Sequence, residues 1–134
     1  MAEQLVIIPA LLFGAIIGLV EMFFVHSDEI GMGWFSHGLH ALPFAILFTM
    51  VSMNVGWALG LLPGKLVTNM WIDLGVRAAV AVLAMLKISA AAAIAGRVGE
   101  RLGHVVVIGI LIFLAPYVWK FIGPFIPLPK VFGF

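Results

Sequence analysis

Long stretches without charge alternate with short polar segments along this chain. Residues 4–20, 30–64 and 102–119 contain no Asp, Glu, Lys or Arg. A helix needs about 20 apolar residues, rising about 1.5 Å each, to cross ~30 Å of hydrocarbon. The pattern therefore predicts an all-α integral membrane protein with four transmembrane helices, at residues 5–25, 41–62, 71–95 and 105–122. The runs are continuous rather than alternating, which disfavours a membrane β-barrel.

The connections between these spans are short, and we expect a single four-helix transmembrane domain over residues 1–134. The exception is the segment 26–40, whose mixture of apolar and polar residues favours a position in the membrane interface. The first span has no basic start and no clear cleavage site, so we expect a membrane helix rather than a signal peptide. Four spans place both termini on one face, and the absence of Lys and Arg from 26–40 favours a cytoplasmic location for that face.

Composition narrows the class of protein further. Hydrophobic residues make up 64% of the chain and charged residues 10%, against about half and about a quarter in a soluble domain. A water-soluble enzyme is excluded on that ground. A net charge of +1 gives no basic field for phosphate, so we expect no nucleic-acid partner. The expected partners are the lipid bilayer and either other membrane subunits or a second copy, in the plasma or inner membrane of a prokaryote.

Small residues recur at the spacing that lets helices approach closely in lipid. Gly14 and Gly18 form one G-x-x-x-G pattern, and Gly56 and Gly60 form another. We expect these glycines to serve packing inside one bundle rather than a dedicated dimer interface.

Several charges fall inside the predicted spans, where each costs at least ~2.5 kcal/mol on insertion scales. Asp73 and Arg77 are four residues apart in the third span, so they can neutralise each other on one helix face. Glu21 and Lys87 lie at similar depths in different spans and are predicted to pair across helices. That pair would fix the helix register, and the alternative is a proton or ion relay.

Imidazoles and carboxylates collect at one end of the predicted bundle. Such ligands suit a transition-metal ion (Cu, Zn or Fe) better than haem here, because His40 and His104 lie at the rim of their spans. No known metal-binding spacing is present, and the alternative is that these are the polar residues of an interfacial loop. The candidate ligands are His26, Asp28, Glu29, His37, His40 and His104.

No catalytic motif is present, and with zero cysteines thiolate metal sites are excluded. We expect a protein that is not catalytic on its own. The hypothesis favoured by the short loops is an accessory or structural subunit of a larger membrane complex, such as a metal-dependent or redox enzyme. The alternative is a small homo-oligomeric metal-ion or proton transporter or channel, with the His/carboxylate cluster as its entrance.

Overall fold

A computed structural model describes residues 4–28, 33–63, 69–94 and 101–126, and this part of the chain contains helices and no strands. The helices in chain order are α1 (Ile8–Asp28), α2 (Trp34–Met53), α3 (Val55–Gly60), α4 (Met70–Ile94) and α5 (Leu102–Ile122), followed by one turn of 3₁₀ helix (Gly123–Phe125).

The helices α1 and α2 run antiparallel and approach closely. Gly14 lies against the backbone of Ile46, where an added Cβ would come within 2.6 Å of the Ile46 Cα. One turn further along α1, a Cβ on Gly18 would lie 3.0 Å from the Leu42 Cα. The absence of side chains at these two positions lets the backbones meet.

The helix α4 runs antiparallel to α2 on its other side. Arg77 of α4 contacts Ser52 near the end of α2. Ten residues later in α4, Lys87 reaches His40, twelve residues earlier in α2. The two contacts fix the register of the pair.

The helix α5 runs antiparallel to α1 and completes an up-down-up-down bundle. Trp119 packs edge-on against Phe13, and His104 stacks on Phe24. We call the end of the bundle that holds Ile8 and Trp119 end A, and the end that holds Asp28 and His104 end B.

The interior of the bundle is built from aliphatic and small side chains, which let four helices share one core. Its buried members are Ala10, Ile17, Ala45, Met53, Val80, Ala84, Ile88, Val105, Ile108, Ile112 and Ala115.

Within the part of the chain that the structure describes, three helical segments are long and apolar enough to cross a membrane: Ile8–Asp28, Trp34–Met53 and Leu102–Phe125. The prediction of a helical protein with several apolar helices is thus confirmed, and the coarse positions of the helices agree with the sequence pattern. Four membrane spans remain a prediction.

The structure differs most from the predicted boundaries in two places. The span predicted at 41–62 is divided at Asn54 into α2 and α3. The segment 26–40 was predicted to lie in the membrane interface, outside the spans. It instead contributes its first three residues to α1 and residues 34–40 to α2. Aromatic contacts explain this extension, because Trp34 packs on both His26 and Phe23 of α1.

Candidate functional site

An ion pair between a buried arginine and a partly buried aspartate lies near end A of the bundle. The side chain of Arg77 is 1% exposed. Its Nε and Nη2 atoms donate to the two carboxylate oxygens of Asp73, each at 2.8 Å. The i,i+4 spacing places both groups on one face of α4, and the paired hydrogen bonds are the geometry that favours arginine over lysine. The guanidinium carbon also lies 5.7 Å from the centre of the Tyr117 ring on α5.

Arg77 also closes the end of a neighbouring helix. Its Nη1 donates to the carbonyl oxygen of Ser52, in the last turn of α2. The last four carbonyls of a helix lack partners within that helix, and the negative end of the helix dipole favours a cation there. The hydroxyl of Ser52 donates to the Ile112 carbonyl at 2.9 Å. This cluster therefore ties α2 to both α4 and α5.

Asn54 accounts for the break between α2 and α3. Its amide nitrogen donates to the Met50 carbonyl at 2.8 Å and to the Val6 carbonyl at 2.9 Å, and its amide oxygen accepts from the Val6 N–H at 2.6 Å. An Asn side chain that bonds nearby backbone competes with helix propagation. One side chain thus ends α2 and attaches the segment before α1 to it.

A second charged group closes a helix at end B. The carboxylate of Asp28, 3% exposed, accepts from the backbone N–H of Arg101 at 2.9 Å. Arg101 is the N-cap of α5 and has no side-chain cap of its own. An anion at a helix N-terminus satisfies free N–H groups and matches the dipole. His104 Nδ1 lies 2.6 Å from the same carboxylate oxygen, and the Arg101 side chain approaches the other at 3.5 Å.

The predicted metal ligands that the structure describes make separate contacts. Asp28 and His104 come together, but the His104 ring also stacks on Phe24 with centroids 4.2 Å apart. His26 stacks on Trp34, at 3.8 Å. His40 is exposed on α2.

Glu29 and the side chain of His37 lie outside the described residues. Among those that are described, no three His, Asp or Glu side chains form a group that could hold a metal ion. The hypothesis of a transition-metal site or a haem therefore has no support from this part of the chain.

Glu21 and Lys87 lie at a common depth. Glu21 is 2% exposed, and its neighbour Met22 contacts the Gly38 position of α2. Lys87 lies at the same level, because its ammonium is 3.5 Å from the His40 carbonyl and 3.2 Å from the centre of the Phe44 ring. Their pairing with each other stays a prediction.

Three groups that hold the helix ends were not predicted from the sequence: the Ser52 carbonyl, the Asn54 amide and the Arg101 N–H. Asn54 gave a detectable signal, as a polar side chain within an apolar run. The other two are backbone groups, which no residue pattern marks.

Comparisons with protein-family models, with curated proteins and with solved structures found no match to this chain.

Proposed function

We propose that this chain is a four-span integral membrane protein that acts as a structural or accessory subunit of a larger membrane complex. The observation that carries the proposal is the use of Arg77 and Asp28. Each charge closes a helix end within the chain, so it stabilises the bundle instead of lining an open path.

The surface of the bundle supports a membrane location. Large apolar side chains are exposed on the four long helices, including Leu12, Leu47, Leu83 and Ile110. Along α4, the distance from Met70 to Lys87 is about 25 Å, close to the thickness of the hydrocarbon core. Polar groups at the level of Lys87 would mark one boundary of the hydrocarbon core.

Aromatic residues would mark the other boundary of the hydrocarbon core, at end A. Trp71 is 75% exposed and Phe121 is 77% exposed, and large aromatic side chains such as Trp favour the membrane interface. On this placement Arg77 lies inside the hydrocarbon, where its burial and its bidentate pair with Asp73 offset the cost of the charge.

The outer face of α4 supports a subunit role. Its first half exposes the small residues Gly75, Ala78 and Ala79, and nothing lies within 4 Å of a Cβ built on Gly75. A surface of this kind lets a helix of another chain approach closely. The outer face of α1, by contrast, carries Leu12, Ile16 and Leu19.

The test is purification of the native protein in mild detergent, with identification of co-migrating chains. We expect a partner chain that is lost when Ala79→Phe enlarges the outer face of α4, and retained when Leu12→Phe does the same on α1. A wild-type protein that migrates alone would contradict the proposal.

The transporter alternative has a separate readout. A homo-oligomer that moves protons or divalent transition-metal ions across vesicle membranes would support it. The single described feature in its favour is the buried carboxyl group of Glu21 at the depth of Lys87.

A further inference from the structure

We propose that the break between α2 and α3 is a two-state hinge, and that the segment preceding α1 holds it in the broken state. This segment, residues 4–7, has no regular secondary structure, and we call it the strap. Its Val6 packs against the buried core of the bundle. With the strap docked, α2 ends at Met53. With the strap released, α2 and α3 form one continuous helix.

The contact that holds the strap is made by one side chain, Asn54. Its amide oxygen accepts from the Val6 N–H at 2.6 Å, and its amide nitrogen donates to the Val6 carbonyl at 2.9 Å. Asn54 is 7% exposed, and backbone groups in such surroundings need a hydrogen-bond partner. Because both bonds go to the backbone of the strap, they do not depend on the side chain at position 6.

The break itself is confined to one residue. Met53 ends α2 and Val55 begins α3, and Asn54 between them departs from helical geometry, with φ −110° and ψ 13°. In an unbroken helix the Met50 carbonyl would accept from the Asn54 backbone N–H. Here it accepts from the Asn54 side chain at 2.8 Å, and the backbone N–H bonds to Val51. A rotation at this one residue would therefore join the two helices, as hinge residues do in other conformational changes.

The same break makes a carbonyl available to Arg77. In a continuous helix the Ser52 carbonyl would accept from the N–H of Gly56, four residues later. In the broken state it accepts from Arg77 of α4, and no side chain caps the start of α3. Release of the strap would direct the Ser52 carbonyl toward Gly56 and away from Arg77. The hinge therefore couples the strap to the contact between α2 and α4.

The two states exchange one set of hydrogen bonds for another. Release of the strap leaves the backbone groups of Val6 without Asn54, but it gives the first N–H groups of α3 the partners that a helix end lacks. Because each state makes bonds that the other loses, a ligand that favours one state can shift the balance between them. A chain that binds the strap at end A would straighten α2 and weaken its contact with α4.

The experiment uses the full chain in mild detergent and has two readouts. Because the chain has no cysteine, a spin label on Gln4→Cys reports the mobility of the strap. Amide hydrogen exchange at Gly56 and Trp57, followed by NMR, reports whether the helix is continuous. Without further substitution, we expect an immobilised label and faster exchange at these two amides than in the middle of α2.

Val6→Pro is the decisive variant, because it removes the N–H that donates to Asn54 and lies far from α3 in sequence. We expect it to mobilise the label and to slow exchange at Gly56 and Trp57 by about tenfold, since each amide gains a hydrogen bond within the helix. Val6→Ala is the matched control. It keeps both backbone groups of the strap, so both readouts should stay unchanged.

Asn54→Leu removes the other partner of the same contact, and we expect it to mobilise the label and slow exchange in the same way. A mobile label in the protein without these substitutions overturns the proposal, whether or not the variants fold. A label that stays immobilised in both variants overturns it as well. So does a folded Val6→Pro variant with a mobile label and unchanged exchange at Gly56 and Trp57, because the strap would then not hold the helix broken.

Discussion

Arg77 and Asp28 carry opposite charges, and each lies at the helix end whose dipole it matches. Arg77 donates to the carbonyl end of α2, and Asp28 accepts from the N–H end of α5. Both side chains come from a different helix than the one they close. Burial makes these contacts sensitive to substitution, because a charge left without its partner in an apolar interior is costly.

We expect Arg77→Met to lower the free energy of unfolding by about 3 kcal/mol, because it leaves the partly buried Asp73 carboxylate and the Ser52 carbonyl without their cation. The combined variant Asp73→Leu/Arg77→Met should recover much of the loss, since neither charge remains. The free energy of unfolding of the single and the double variant is measured in mixed micelles with an increasing content of denaturing detergent.

The control for this prediction is Arg101→Met, which removes a cation whose side chain is 80% exposed and should change stability by less than about 1 kcal/mol. A double variant as unstable as Arg77→Met would show that packing, rather than the unpaired charge, causes the loss.

The elements differ in how closely they approach one another. The α1–α2 contact depends on two glycines that face backbone, whereas Gly75 of α4 faces open space. Glycine is otherwise unfavourable inside a helix. The same substitution should therefore have opposite effects at the two kinds of position.

We expect Gly14→Ala to destabilise the bundle by about 1–3 kcal/mol, because its Cβ would meet the Ile46 backbone and force the helices apart. Gly75→Ala should be neutral or stabilise by up to about 1 kcal/mol through helix propensity. Thermal unfolding of the two variants in the same detergent provides the comparison. Equal effects at both positions would contradict the close α1–α2 packing.

The start of α5 depends on a carboxylate supplied by α1. We expect Asp28→Ala to cost about 1–2 kcal/mol, as for loss of an N-cap, with faster amide exchange in the first turn of α5. Arg101→Ala should cost much less, because it removes an exposed side chain and keeps the backbone N–H that Asp28 accepts. If Arg101→Ala costs as much as Asp28→Ala, the surface ion pair and not the cap is responsible.

At the scale of the whole molecule, the long helices alternate in direction, and the described loops therefore separate into two ends. Gly33 and Arg101 lie at end B with Asp28, and Leu62 lies at end A beyond α3. Asn54 attaches Val6 at end A as well. A four-span membrane protein requires these ends to face opposite sides of the bilayer.

Because the chain has no cysteine, single introduced cysteines report each position without background. We expect Gly33→Cys and Gly103→Cys to react with a membrane-impermeant reagent from one side, and Gln4→Cys and Leu62→Cys from the other. Both glycines have open space around them, so the substitutions should be tolerated. Labelling of Gly33→Cys and Gly103→Cys from opposite sides would contradict four spans.

Local periodicity determined much of this protein without reference to its tertiary structure. Charge-free runs of the length of a membrane helix indicated the apolar helices, and the spacing of Asp73 and Arg77 placed them on one helical turn. The pattern of Gly14 and Gly18 indicated a close helix contact. Each of these inferences depends on residues near one another in sequence, whose geometry in a helix is known in advance.

Tertiary structure decided which groups the charges meet. Arg77 binds the carbonyl of Ser52 and Asp28 binds the N–H of Arg101, and every residue other than proline carries those two groups. They become available only where a helix ends, and they come within reach only after antiparallel packing brings that end beside another helix. Residue type alone therefore suggested a metal ligand at Asp28 and a neutralising partner for Arg77 in Asp73, whereas the assembled bundle also uses Asp28 and Arg77 to close its helices.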